Sequence, residues 1–163
     1  MELPIRQTVL DQAKAKRIYV FHEKSSLDHY RAQAYVVRCV DDRFFRVYKN
    51  YLKVGGINRL DSKTPAGGAK VFSSPIKKGD RDYNIRELEL SIRLHHVNRV
   101  MLFTHHDCGA YGGFAAFDND HDKEFKFHSK EHEKAAKYIL ARFPELIVET
   151  YFVDEHGIVR TSQ

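Results

Sequence analysis

Two short motifs of metal-binding residue types directly follow two apolar runs, and this pairing constrains the fold more than any other feature of the chain. The first motif reads CVDDR at residues 39–43 and follows the run YVV at residues 35–37. The second motif reads HHDCG at residues 105–109 and follows the run VMLF at residues 100–103. Short apolar runs of this kind are typical of buried strands. Because ligand sites in open α/β sheets lie beyond the carboxyl ends of the strands, we expect the two motifs to meet there.

The chain alternates predicted strands with predicted helices, which indicates an α/β domain with a mainly parallel central sheet flanked by helices. The predicted elements are the strand Ala34–Cys39, a helix with apolar positions from Phe44 to Leu52 that stops at Gly55-Gly56, a loop with a short strand running through Thr64–Gly68, a helix from about Tyr83 to His96, the strand Arg99–Thr104, a helix with Ser129 as N-cap that ends at Pro144, and the strand Leu146–Val153. A turn at residues 154–157 is expected to lead into a last short strand. Residues 5–15 favour a helix, and residues 17–21 either extend it or form an edge strand.

Length, charge and composition exclude several classes of protein. The chain has 163 residues, enough for a real core, and we expect a single metal-binding α/β domain over residues 1–163. No run approaches the roughly 18 apolar residues of a membrane span, and the N-terminus is unlike a secretory signal, so no membrane partner is expected. The net charge of +5 comes from dispersed residues without a nucleic-acid-binding motif, so no nucleic-acid partner is expected either. Two cysteines cannot build a disulfide framework, which is typical of a cytoplasmic protein.

Cys39, His105 and Cys108 form the residue set best suited to a metal ion. Two thiolates and one imidazole favour zinc, and three protein ligands leave the fourth tetrahedral position open, as in catalytic sites. Iron and cobalt stay open as alternatives, since ligand type constrains the metal only loosely. Asp41 follows a ligand by two residues, where its carboxylate can orient a water molecule on the metal. Arg43 can hold Asp41 in a bidentate ion pair that keeps the carboxylate ionised.

The pattern Cys39-x-Asp41-x-Arg43 followed by His105-x-x-Cys108-Gly resembles the signature of the β-class carbonic anhydrases. The AGG element at residues 66–68 is similar to a glycine loop that the family carries between these motifs. The resemblance covers about residues 34–113, is specific because both motifs coincide, and is nearest to a small branch of the family. It implies a β-carbonic anhydrase-like fold and zinc-dependent, reversible hydration of carbon dioxide to bicarbonate.

The resemblance also implies roles for individual residues. Cys39, His105 and Cys108 would hold Zn²⁺, and the Asp41–Arg43 pair would orient a zinc-bound hydroxide, the nucleophile. In some members of the family the aspartate binds zinc in place of water, so the identity of the fourth ligand stays open. The substrate pocket would include Gly67, Gly68 and Gly109, although a tight backbone turn beside the metal explains Gly109 better than a contact with substrate. A homodimer or higher homo-oligomer is implied, with the segment of about residues 1–30 as a dimerisation arm.

Three questions stay open at the level of sequence. The same site chemistry also suits hydrolysis of a carbon dioxide analogue, carbonyl sulfide or carbon disulfide, and a catalytically silent zinc-binding relative would keep the same ligands. His106 either shuttles protons or points away from the metal as a loop residue. His121, His128 and His132 lack a compact ligand spacing, so we assign them no second metal site.

Overall fold

A computed structural model describes residues 18–162 of the chain. The strands of this part are β1 (Ala34–Val37), β2 (Leu60–Lys63), β3 (Arg99–His105), β4 (Ile147–Val153) and β5 (Ile158–Arg160). They form one sheet in the order β2-β1-β3-β4-β5, in which the first four strands pair in parallel and β5 is antiparallel to β4. The α-helices of the same part are α1 (Phe45–Val54), α2 (Lys70–Ser73), α3 (Lys78–His95) and α4 (His121–Arg142). The predicted mainly parallel α/β architecture is therefore confirmed.

The alternation of side chains along the strands builds two apolar layers, one on each face of the sheet. Tyr35 and Val37 point into the layer covered by α2, α3 and α4, where Phe72, Leu88 and Ile139 are buried. The opposite layer is covered by α1. Its buried members include Ala34, Val36, Tyr48, Leu52, Met101 and Phe103. Helices on both faces explain why β1 and β3 are apolar along their whole length. Their carboxyl ends emerge between the two layers at one edge of the sheet.

Most predicted element bounds agree with the structure, and local contacts explain two of those that differ. The strand predicted to reach Cys39 ends at Val37, so the first motif lies in the loop beyond it. The helix predicted to begin near Tyr83 begins at Lys78, because Asp80 accepts the backbone N–H of Lys77 at 3.2 Å and caps an earlier turn. The turn at residues 154–157 and the strand that follows it are present as predicted.

Ser129 is not a helix N-cap, and this prediction is wrong. Helix α4 begins two turns earlier, at His121, where the side chain of Asp120 accepts the backbone N–H groups of Asp122 and Lys123. Ser129 lies inside the helix, and its hydroxyl donates to the carbonyl of Phe125 at 2.9 Å. The first turns of α4 carry polar residues on their buried side, so the apolar periodicity that marks a helix starts too late in the sequence.

The predicted helix over residues 5–15 and the first part of the predicted dimerisation arm lie outside the described residues. From residue 18 to residue 33 the chain forms neither helix nor strand, so an edge strand over residues 17–21 is wrong for its described part. Apolar side chains of this segment are exposed, including Ile18, Val20, Phe21 and Leu27. Within residues 18–162, no helix is both long enough and apolar enough to cross a membrane.

Candidate metal centre

The two sequence motifs meet where β1 and β3 end. Cys39 lies two residues beyond β1, His105 is the last residue of β3, and Cys108 follows in the next loop. One ligand atom of each residue lies within 4.8 Å of the others, and all three residues are buried. The parallel pairing of β1 with β3 brings these residues together, although Cys39 and Cys108 are 69 positions apart in the sequence.

The imidazole of His105 is held so that one ring nitrogen faces the two sulfurs. Its Nδ1 lies 2.7 Å from the carbonyl oxygen of His106 and donates a hydrogen bond to it, which leaves the lone pair on Nε2. The ring of Phe44 packs against the imidazole at a centroid distance of 4.8 Å. Nε2 is buried and has no hydrogen-bond partner among the described residues. A buried nitrogen of this kind costs free energy unless something binds it.

The arrangement of the three ligand atoms fits a tetrahedral zinc ion. Two thiolates that bind one zinc at about 2.3 Å with tetrahedral angles lie about 3.8 Å apart. The Sγ atoms of Cys39 and Cys108 lie 3.9 Å apart and form no disulfide. Together with the unpartnered Nε2 of His105, these residues could hold zinc and would leave one coordination position free.

The charge on the two sulfurs is distributed unequally. The pKa of the Cys39 thiol is lowered to about 4, because the Cys108 thiol donates to the Cys39 sulfur, with further help from backbone N–H groups such as that of Gly67 at 3.3 Å. The pKa of the Cys108 thiol is raised, because its proton is shared with Cys39 and its surroundings are buried. A metal ion that binds both sulfurs as thiolates must therefore displace the proton of Cys108.

Asp41 and Arg43 form a bidentate ion pair beside the ligand set. The guanidinium donates from Nε and Nη2 to the carboxylate at 3.0 and 2.7 Å. Hydrogen bonds from Arg43 lower the pKa of Asp41 to about 2, so the carboxylate is ionised at neutral pH. Asp41 Oδ2 lies 3.9 Å from His105 Nε2, at the mouth of the site. The pairing predicted from the sequence is thus present in the structure.

Arg43 has a second anchor that sequence reasoning missed. Its Nη1 donates to the carboxylate of Asp107 at 3.0 Å, and its Nη2 donates to the carbonyl of the same residue at 3.1 Å. The other carboxylate oxygen of Asp107 accepts the backbone N–H of Phe114 at 2.9 Å. The only sequence signal was an aspartate between two ligands, and Asp107 has the left-handed φ of 53° that this residue type tolerates. Asp42, which follows Asp41, is exposed.

The glycine loop at residues 66–68 packs against Cys39. Gly68 has a φ of 56°, and a Cβ at this position would lie 2.0 Å from the carbonyl oxygen of Phe103, so only glycine fits. Gly67 donates its backbone N–H to the Cys39 sulfur. Gly109 begins a tight 3-10 turn, in which the backbone N–H of Gly112 donates to its carbonyl at 3.1 Å, but it lacks a positive φ and its Cβ would meet nothing within 4 Å, so this turn does not require glycine. Whether these glycines line a substrate pocket stays a prediction.

The remaining histidines of interest lie on the α4 side of the sheet. His106 directly follows the ligand His105, but its Nδ1 pairs with Glu124 of α4 at 2.6 Å. His128 and His132 are buried in the core and do not join His121 in a common cluster. Within residues 18–162, His121, His128 and His132 therefore do not converge on one point.

Comparisons with known proteins agree with this geometry. The chain is 26% identical to an uncharacterized protein of Rickettsia bellii over 131 residues, which cover 78% of this chain and 80% of that protein. The β-carbonic anhydrase isoform I of Trichomonas vaginalis has a similar structure, with a TM-score of 0.59 at 14% identity over 99% of this chain and 98% of that one. A tetrameric β-carbonic anhydrase of Sordaria macrospora has a TM-score of 0.55 at 13% identity, covering 80% of this chain and 81% of that one.

These structures share the fold, while the family follows from the sequence itself. A family model described as "Putative carbonic anhydrase" matches residues 30–162, which include both motifs and the whole sheet. Because this match spans most of the chain, the protein belongs to that carbonic anhydrase family, and its fold is that of the β-carbonic anhydrases.

Proposed function

We propose that this protein catalyses the reversible hydration of carbon dioxide to bicarbonate with a zinc ion held by Cys39, His105 and Cys108. The observation that carries this proposal is the buried, unpartnered Nε2 of His105, which faces two sulfurs at zinc-binding separation. Family membership supports the reaction class. When bound, zinc acts as a Lewis acid and supplies a nucleophilic oxygen near neutral pH.

The chain's own contribution is an oriented hydrogen-bond acceptor at the mouth of the site. The Oδ2 atom of Asp41 lies within 4 Å of the ligand set, and Arg43 keeps it ionised. An ionised carboxylate accepts a hydrogen bond from the nucleophile and so fixes the direction of the lone pair that attacks carbon dioxide.

The second anchor of Arg43 gives this acceptor a fixed position. Asp107 and Asp41 bind the same guanidinium from two sides, so Arg43 is held in place even when one contact loosens. Both side chains are partly exposed, so each single ion pair contributes little on its own. We propose that Asp107 acts as a positioning residue that keeps Asp41 engaged with Arg43 rather than with the metal.

The site and the fold also support a cellular setting and an assembly for the proposed enzyme. The two sulfurs at 3.9 Å would be prone to oxidation, so a reducing compartment such as the cytoplasm suits the site. The exposed apolar side chains between Ile18 and Leu27 support a homo-oligomer in which this arm packs on another copy. The tetrameric relative from Sordaria macrospora supports the same proposal. Sedimentation velocity tests it, since Phe21→Asp should shift the protein towards a monomer.

Stopped-flow carbon dioxide hydration tests the activity. The zinc-loaded protein is compared with Asp41→Asn and with Asp42→Asn as a matched control, since Asp42 is the exposed neighbour outside the proposed site. We expect hydration well above the buffer rate, a loss of about 100-fold or more in Asp41→Asn with the bound zinc unchanged, and no loss in Asp42→Asn. Zinc binding without hydration in the wild type would refute the proposal. Carbonyl sulfide and carbon disulfide would then be the next substrates to test.

A further inference from the structure

A second group of metal-binding residue types lies on the α4 side of the sheet. One of its members belongs to the second sequence motif, but the group is separate from the ligand set of Cys39, His105 and Cys108. His106, His121 and Glu124 each offer one ligand atom, and these atoms lie within 4.8 Å of one another. The set contains nitrogen and oxygen ligands and no sulfur, unlike the set formed by Cys39, His105 and Cys108. Neither the proposed reaction nor the family assignment uses these side chains.

Two secondary-structure elements hold this group together. The N-cap Asp120 fixes the start of α4, so His121 and Glu124 lie three positions apart on one side of the helix. His106 follows the last residue of β3, and its backbone N–H donates to the carbonyl of Val153 in β4 at 2.7 Å. The imidazole rings of His106 and His121 stack at a centroid distance of 5.1 Å and an interplanar angle of 27°. The group is therefore placed by the sheet and the helix start, not by a free loop.

The carboxylate of Glu124 is the most constrained member of the group. Only 1% of this residue is exposed, which is rare for a glutamate and requires fixed partners. Its Oε1 accepts the backbone N–H of Asp107 at 2.8 Å, and its Oε2 faces the Nδ1 of His106 at 2.6 Å. One oxygen thus anchors the carboxylate, and the other is directed at the imidazole pair.

The exposure of the three residues gives the group an opening to solvent. His121 is exposed and the His106 side chain is 20% exposed, while Glu124 closes the inner side. Two neutral imidazoles and one carboxylate carry a net charge of −1, which suits a divalent cation. Two histidines and one carboxylate form a ligand set that binds first-row transition metals and leaves coordination positions free for water.

We propose that His106, His121 and Glu124 form a second binding site for a divalent transition-metal ion, with zinc as the probe ion. The carboxylate of Glu124 is the ligand whose position is already fixed before metal binds. His121 provides the ligand that is accessible from solvent. In the absence of metal, the contact between His106 and Glu124 is an ordinary imidazole–carboxylate hydrogen bond. The proposal does not depend on carbonic anhydrase activity, because it concerns a metal count and not a rate.

The number of zinc ions per chain tests the proposal. The full-length protein is dialysed to equilibrium against micromolar free zinc, and bound zinc is measured by elemental analysis. We expect two zinc ions per chain in the wild type and one in His121→Ala, which removes an exposed side chain and leaves the core intact. His156→Ala is the matched control, since its side chain is 85% exposed and is not a member of this group, and it should still bind two. One zinc per chain in the wild type, or two in His121→Ala, would overturn the proposal.

Cobalt substitution assigns each ion to its site. Thiolate ligands give Co²⁺ an intense charge-transfer absorption that nitrogen and oxygen ligands do not give. The Co²⁺ ion bound at Cys39 and Cys108 should show this absorption. A second equivalent of Co²⁺ should bind without adding to the absorption, and His121→Ala should not bind it. A second equivalent that remains in His121→Ala would show that the extra ion binds elsewhere and would refute the assignment.

Discussion

Two buried imidazoles of this protein have ring nitrogens without a hydrogen-bond partner among the described residues, and they lie in very different surroundings. His105 has one such nitrogen, Nε2, and it faces the sulfurs of Cys39 and Cys108. His128 has two, and its ring is surrounded by aromatic side chains such as those of Tyr111 and Phe152. Both residues are fully buried, so burial alone does not distinguish them.

The difference lies in what converges on the unpartnered atom. A buried polar atom without a partner costs about 1–3 kcal/mol wherever it occurs. At His105 a zinc ion would remove this cost, since two further ligands face the same point. At His128 only rings converge, and burial together with the nearby His132 lowers the pKa of His128 to about 3. An unpartnered buried nitrogen therefore indicates a binding site only when other ligands point at it.

The same substitution at both positions tests this comparison most strongly. His105→Phe removes the nitrogen ligand and should abolish the cobalt–thiolate charge-transfer absorption at stoichiometric metal. Loss of an outer partner of a metal ligand already costs about 10–100-fold in affinity, and loss of the ligand itself should cost more. His128→Phe should bind metal at the Cys39 site as the wild type does. Equal metal binding by His105→Phe and the wild type would contradict the proposed centre.

The part of the site that was predictable from the sequence depends on local patterns. The apolar runs before Cys39 and His105 marked β1 and β3, and strand order then brought the ligands together without further information. The pair of Asp41 and Arg43 lies within one motif, so its hydrogen bonds also follow from sequence spacing. Each of these features needs only neighbouring residues and the rule that parallel strands end at one edge.

What sequence reasoning missed depends on long-range contacts between polar residues. Asp107 and Arg43 are 64 positions apart, and no periodicity connects them. The start of α4 was placed too late because its buried side carries Glu124, His128 and Glu131, which read as solvent-exposed residues. These carboxylates and imidazoles are buried because specific partners in the folded chain satisfy or surround them, and a hydropathy pattern contains no record of those partners.

The effect of acid on stability is a second test of the comparison. We expect acid to destabilise the protein because His128 is protonated more easily in the unfolded chain than in the folded one. The pKa of a histidine is about 6.5 in the unfolded chain and about 3 for His128 in the folded one. Between these values the unfolded state binds more protons, so stability is full above pH 6.5 and is lost as the pH falls. At pH 5 this loss amounts to about 2 kcal/mol.

Chemical denaturation at pH 7 and pH 5 measures this effect as a difference between two proteins. The free energy of unfolding of the wild type should fall by about 2 kcal/mol more than that of His128→Phe over this interval. Protonation of other groups, including the metal ligands, occurs in both proteins and cancels in the difference. Parallel pH profiles for the wild type and His128→Phe would show that the buried imidazole does not resist protonation.

The second anchor of Arg43 should have a smaller effect, confined to the metal site. Asp107→Asn keeps the shape of the side chain and weakens its bond to the guanidinium, so we expect carbon dioxide hydration to fall by about 10-fold. Zinc affinity should stay unchanged, because Asp107 is not in the ligand set. Stopped-flow rates combined with a zinc-chelator competition separate the two quantities. Asp42→Asn again serves as the control, since Asp42 is exposed and lies outside the proposed site. An unaltered rate in Asp107→Asn would remove its positioning role.

The smallest expected effect concerns His128 at neutral pH. His128→Phe keeps an aromatic ring in the pocket and removes two unpartnered ring nitrogens, so the free energy of unfolding should rise by about 1 kcal/mol. His132→Phe is the matched comparison on the same helix, since Nε2 and Nδ1 of His132 pair with the hydroxyls of Thr104 and Thr161 at 3.0 and 2.8 Å. That variant should lose about 1–3 kcal/mol, because it leaves a buried hydroxyl unpaired. Urea unfolding at pH 7 measures both. If His128→Phe were destabilised as much as His132→Phe, the ring nitrogens of His128 would have a hydrogen-bond partner after all. The contrast between His128 and His105 would then be wrong.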